Sequence, residues 1–138
     1  MEVDHIGYLT KDINRSVIEF EKIGYKKTSD FYVDNKSEDG KKPRNTYLCF
    51  LENGHTKIEL VSPINEDSVV FNTLKRQGEG PYHICYRVLN IEETMEEMKK
   101  DGWMTLKQPE KAIAFHNSRV VFMFKSGMGM VELVEINV

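Results

Sequence analysis

The stretch His5-Ile6-Gly7-Tyr8, running on to Asp12-Ile13, returns 78 residues later as His83-Ile84-Cys85-Tyr86, running on to Asn90-Ile91. The repeat continues without a gap through Gly24 and Gly102 to Tyr25 and Trp103. At a slightly shorter offset Ile58-Glu59-Leu60-Val61 matches Val131-Glu132-Leu133-Val134, and Gly54 matches Gly127. An internal repeat is to be read before any local feature, because it sets the architecture. Here each copy opens on a His and closes on a Glu, both inside apolar strand patterns.

Working outward, Val3 to Leu9 alternates apolar and polar residues, as a strand does. Ile13, Val17 and Phe20 then recur at helical spacing, with Thr10 or Asp12 as cap and Gly24 as terminator. In the second copy Ile91, Met95 and Met98 form the same stripe, and Gly102 ends it. Three strand-like segments follow each helix: 25–33, 46–51 and 56–62, then 103–107, 119–124 and 129–136. Asn53-Gly54 and Ser126-Gly127 are the hairpin turns. The expected fold is α+β, two tandem βαβββ modules forming a curved eight-stranded cavity. Module one spans 1–62, a linker 63–80 with a short helix near Val69-Val70-Phe71 and Leu74, and module two 81–138. The polar segment 34–44 reads as a mobile loop.

Bulk properties narrow the function. The chain has 138 residues, 40% hydrophobic and 30% charged, with a net charge of −3. That composition fits a globular domain and gives no electrostatic reason to expect nucleic acid or an anionic membrane. No apolar run approaches the roughly 20 residues of a membrane span, and no signal peptide is visible, so a cytoplasmic location is expected. Cys49 and Cys85 lack metal or redox spacing and read as buried reduced thiols.

Alternation puts His5 and His83 on the strand faces opposite the bulky residues Ile6, Tyr8, Ile84, Tyr86 and Val88. Glu59 and Glu132 likewise oppose Ile58, Leu60, Val131 and Leu133. The bulky faces pack on the helices, and the other faces bring the two His and two Glu together. Facing carboxylates without a cation repel, and buried charges are paired or bind metals. His5, Glu59, His83 and Glu132 are therefore read as ligands of one divalent ion per site, such as Ni, Co, Mn, Fe or Zn. Four protein ligands leave positions open, so the site is read as catalytic, and a ligating Glu, Glu59 or Glu132, that loosens from the ion could shuttle a proton beside a Lewis acid. Arg87 and Arg44 are expected substrate contacts, with Lys41 and Lys42 able to join Arg44 in clamping an anionic carrier. Cys85 lacks a base to activate it as a nucleophile. His116 is a possible lid residue, and His55 is expected to be exposed.

The paired modules, with His5, Glu59, His83 and Glu132 in that order, resemble the vicinal oxygen chelate (glyoxalase/bleomycin resistance) superfamily over nearly the whole chain. Two of its branches compete. The run Gly78-Glu79-Gly80-Pro81-Tyr82-His83-Ile84-Cys85-Tyr86 resembles methylmalonyl-CoA epimerases. The ligand set resembles glyoxalase I (lactoylglutathione lyase), and small clostridial-type members in particular. The epimerase pattern carries an acidic-Gln-Gly run entering the third strand, where this chain has Pro43-Arg44-Asn45-Thr46. The glyoxalase branch is therefore preferred. That resemblance implies a metal-dependent lyase/isomerase converting a 2-oxoaldehyde–thiol hemithioacetal to a 2-hydroxyacyl thioester by enediolate proton transfer. Its alternatives are acyl-CoA epimerisation and a non-catalytic small-molecule binding module. It also implies a homodimer, with the site built within one chain or across two.

Overall fold

The computed structural model describes residues 1–36 and 42–137. Lys41, one of the expected anion contacts, and much of the loop assigned to 34–44 lie outside the described residues. The fold is α+β, with ten strands, three α-helices and one short 3-10 turn among the described residues. None of these helices is long and apolar enough to cross a membrane.

The chain packs as two compact units. One comprises Ile6–Tyr82, and the other Met1–His5 with the stretch from His83 onward. The division falls inside two strands, β1 (Glu2–Leu9) and β6 (Gly80–Val88).

In the first of these units β1 pairs in parallel with β5 (Thr56–Pro63), which forms a hairpin with β4 (Thr46–Asn53). Asn53 faces Thr56, leaving a two-residue turn in which Gly54 takes φ +59°, the geometry its sequence signal required. The segment expected as one strand over 25–33 is two, β2 (Lys26–Lys27) and β3 (Tyr32–Asp34), both antiparallel to β4. The break has a local cause. Ser29 Oγ accepts from the Phe50 N–H and donates to the Asp30 carbonyl, so a side chain replaces the ladder there.

The second unit repeats this plan. There β6 pairs in parallel with β10 (Gly129–Glu135), which is antiparallel to β9 (Arg119–Lys125). Its outer strand is also split, into β7 (Met104–Thr105) and β8 (Glu110–Lys111), both on β9. Pro109 sits in the break, where its missing N–H cannot serve a ladder. The two splits turn the expected eight strands into ten.

Helices follow the expected pattern. Helix α1 (Ile13–Lys22) is capped by Asp12, whose carboxylate accepts from the Arg15 N–H, and Thr10 Oγ1 accepts from the Asp12 N–H. Helix α3 (Ile91–Lys100) has Asn90 in the equivalent role toward Glu93. Its first turn is also tied to β10, because Glu135 accepts from the Ile91 N–H and holds Arg119. A shorter helix, α2 (Phe71–Gln77), lies in the connecting segment.

Each unit buries apolar side chains on both faces of its strands. Ile13 and Val17 pack on Leu51, Ile58 and Leu60, while Ile91, Met95 and Met98 pack on Val121, Met123, Val131 and Leu133. On the opposite faces Leu9 and Val61 meet Val70 and Leu74 of the α2 segment, and Cys85, Val120 and Val134 meet Ala112 and Phe115. Ile84, expected on the helix-covered face, is exposed. Leu133 is fully buried, so Leu133→Ala is expected to lower stability by about 3 kcal/mol, read from the urea midpoint at unchanged m-value.

Candidate metal centre

Register fixes where the acidic residues stand. In the second unit Glu132 lies opposite Cys85, two residues beyond His83. In the first unit Glu59 lies opposite Gly7, two residues beyond His5 on the same strand. The repeat read in the sequence is thus a repeat of strand pairing, down to the residue.

His5, His83 and Glu132 come together in a single chain. The imidazole Nε2 atoms of His5 and His83 are 3.2 Å apart. Glu132 Oε1 is 3.3 Å from the first and 3.2 Å from the second. All three residues are buried, as is Glu59. Glu132 Oε1 has no well-aligned hydrogen bond despite its two close imidazole neighbours. A buried carboxylate oxygen in that position is costly unless something else satisfies it.

A divalent ion fits the triangle. Ligand atoms about 2.1 Å from one ion stand roughly 3.0 Å apart at right angles and roughly 3.4 Å apart at the tetrahedral angle. The observed edges fall between these limits. The donors, two imidazole nitrogens and a carboxylate oxygen, suit a borderline divalent cation.

Electrostatics agree with this use. Burial by itself raises the Glu132 carboxyl, but the His5 and His83 imidazoles outweigh it and hold the group well below the usual carboxylate range. Glu132 is therefore ionised. Burial pushes the Cys85 thiol well above its ordinary value, so it is not a thiolate nucleophile. Both cysteines are buried and reduced.

Asp4 is a neighbour of the cluster that strand alternation passes over. Successive side chains leave a strand on opposite faces, yet the Asp4 carboxylate reaches back to accept from His5 Nδ1 at 2.8 Å. An ionised carboxylate only accepts, so this bond puts a proton on Nδ1, which would leave Nε2 to ligate a bound ion. Asp4→Asn is expected to weaken divalent metal affinity about 10- to 100-fold, as measured by calorimetric titration of the metal-free protein.

The other sequence-derived residues fall as follows. Arg87 is engaged by the Val3 carbonyl at 3.2 Å, Glu2 at 3.3 Å and Asp4 at 3.9 Å, which ties β6 to the start of β1. Arg44 lies 3.8 Å from Asp34. His116 and His55 are exposed. The ring that meets His5 is Phe115, the residue before His116, with centroids 5.5 Å apart. Phe122 stands edge-on to His83 at 5.2 Å.

Paired βαβββ copies with buried His and Glu residues at repeated positions define the class of fold. The chain belongs to the glyoxalase/bleomycin resistance protein/dioxygenase superfamily, whose model matches residues 4–122. It is 35% identical over 90 residues to the mitochondrial methylmalonyl-CoA epimerase of Homo sapiens, covering 64% of this chain and 50% of that protein. It is 32% identical over 92 residues to the ethylmalonyl-CoA/methylmalonyl-CoA epimerase of Cereibacter sphaeroides, covering 64% of this chain and 69% of the relative. The chain thus spans about half the length of the human relative. The fold matches that of a Streptomyces coelicolor methylmalonyl-CoA epimerase in complex with 2-nitronate-propionyl-CoA, with TM-score 0.70 and 22% identity over 100% of this chain and 99% of the other.

Proposed function

We propose that this chain is a divalent-metal-dependent acyl-CoA epimerase of the methylmalonyl type. The observation that carries the reading is its identity of about a third with proteins of that name. This reverses the preference drawn from the sequence, where the glyoxalase branch stood first.

His5, His83 and Glu132 would hold the ion, with Glu59 as the fourth ligand. Support for Glu59 comes from the repeat, since Glu59 stands to His5 in strand register as Glu132 stands to His83. When bound, the ion supplies positive charge that polarises a thioester carbonyl and acidifies the adjacent C–H. Epimerisation needs a proton removed from one face of that carbon and returned to the other. Glu59 and Glu132, one from each copy, are assigned these two roles. Arg44 and Lys42 are assigned to the phosphates of the CoA carrier. Arg87 is assigned to holding β1 in place. A homodimer is proposed with this reading, to be read by sedimentation.

The glyoxalase reading keeps one specific support, the absence of a carboxylate from Pro43-Arg44-Asn45-Thr46. One experiment separates the two. Co²⁺- and Ni²⁺-loaded protein is incubated in D₂O with a single epimer of methylmalonyl-CoA, and separately with the hemithioacetal of methylglyoxal and glutathione. Deuterium entry at the α-carbon with loss of configuration is the expected result. Turnover of the hemithioacetal alone would replace the epimerase with the glyoxalase. Turnover of neither would leave a binding module.

A further inference from the structure

We propose that Phe115 is a positioning residue for the metal centre, fixing the His5 ring and covering its face. The proposal rests on the reading of His5 as a metal ligand and is independent of which substrate is turned over. The Asp4 carboxylate holds the His5 ring at one point, Nδ1. A ring held at one atom can still tilt about it. Phe115 lies against the face of that ring, with centroids 5.5 Å apart and planes 24° apart, which blocks the tilt. Asp4 and Phe115 thus act on His5 as a polar and an apolar anchor, with its Nε2 toward His83 and Glu132.

Phe115 is itself rigidly presented. It ends the 3-10 turn Ile113–Phe115, and the next two residues, His116 and Asn117, take left-handed φ values of +52° and +67°. Two successive non-glycine residues in that region are unfavourable and persist only where the surroundings fix them. Here the loop closes on itself. Asn117 N–H donates to the Ala112 carbonyl, Ala112 N–H to Ser118, and Ser118 N–H to Phe115. Ala112 and Phe115 also pack on Cys85, Val120 and Val134, the face that carries the centre. A loop built this way serves as a fixed wall, and its aromatic residue excludes water from one side of His5.

The test uses the full chain loaded with Co²⁺, whose visible absorption reports ligand geometry, and follows release of the ion to excess chelator. Phe115→Ala is expected to release Co²⁺ about tenfold faster and to change the visible spectrum. Phe115→Leu, which restores apolar cover, is expected to recover most of the wild-type rate. Circular dichroism of the metal-free variants confirms that each is folded. Release from Phe115→Ala within twofold of wild type, with an unchanged spectrum, would overturn the proposal. Failure of the wild-type chain to take up Co²⁺ would overturn the metal reading itself, and the role of Phe115 with it.

Discussion

Glu132→Gln is expected to reduce turnover by about 10³-fold while the chain stays folded. The size follows from losing a metal ligand and a proton-transfer group together, each of which supplies orders of magnitude. The amide is nearly isosteric with the carboxylate, so the core around Leu133 and Val131 is not disturbed. The same variant carries a stability signature. The folded-state pKa of Glu132 is depressed, so in the metal-free protein its ionised form contributes stability that is complete above the unfolded carboxylate pKa of about 4. That contribution is lost as pH falls through the lower folded value. Thermal melts of the metal-free protein should therefore fall more steeply below about pH 4 for wild type than for Glu132→Gln. Parallel acid limbs would contradict the ionised, imidazole-paired state, and retained turnover would remove Glu132 from the chemistry. Glu59→Gln is expected to lose turnover comparably, since the repeat gives it the same place in the other copy.

Removing the metal has the second large effect. Dialysis against a chelator should abolish activity, and restoring Co²⁺, Ni²⁺, Mn²⁺ or Zn²⁺ in turn should return it to different levels. The stability change is calculable by linkage. A ligand at 100 times its Kd adds about 2.7 kcal/mol to the folded state, or roughly 9 °C in melting temperature for a domain of this size. Melting curves taken against metal concentration measure it directly. A melting temperature indifferent to every divalent ion would show that the cluster is a polar network without a metal.

The substrate question turns on different residues from the metal question. The centre is built by strand register, which a small sequence repeat preserves. In the proposed reading the acyl carrier and the reacting carbon would be met by loops and by residues such as those at 43–46, which a superfamily varies freely. This is why the ligand set pointed toward one branch and the relatives toward another.

The repeat alone settled much. The offset from His5 to His83, the matched Glu59 and Glu132, the helix stripes at Ile13/Val17 and Ile91/Met95/Met98, and the Asn53-Gly54 hairpin are all periodic or local signals. Backbone geometry converts such signals into elements without further information. What lay beyond them depended on contacts between segments far apart in the chain. The split of each outer strand came from a serine side chain in one copy and from a proline in the other. Apolar cover on the second face of each unit came from segments whose sequence carries no period. Asp4 was hidden because alternation assigns it to the wrong face, while its flexible carboxylate bends back to His5. Arg87 was read as a pocket residue from alternation, yet it is engaged by Glu2, Asp4 and the Val3 carbonyl. Phe115 was hidden because a loop places its side chains by closure and packing rather than by spacing. The sequence by itself determined the repeat, the helices and main strands, and the four positions proposed as ligands. Only the tertiary structure decided what orients those ligands, because orientation comes from side chains packed across strands and loops, where position along the chain carries no information about distance.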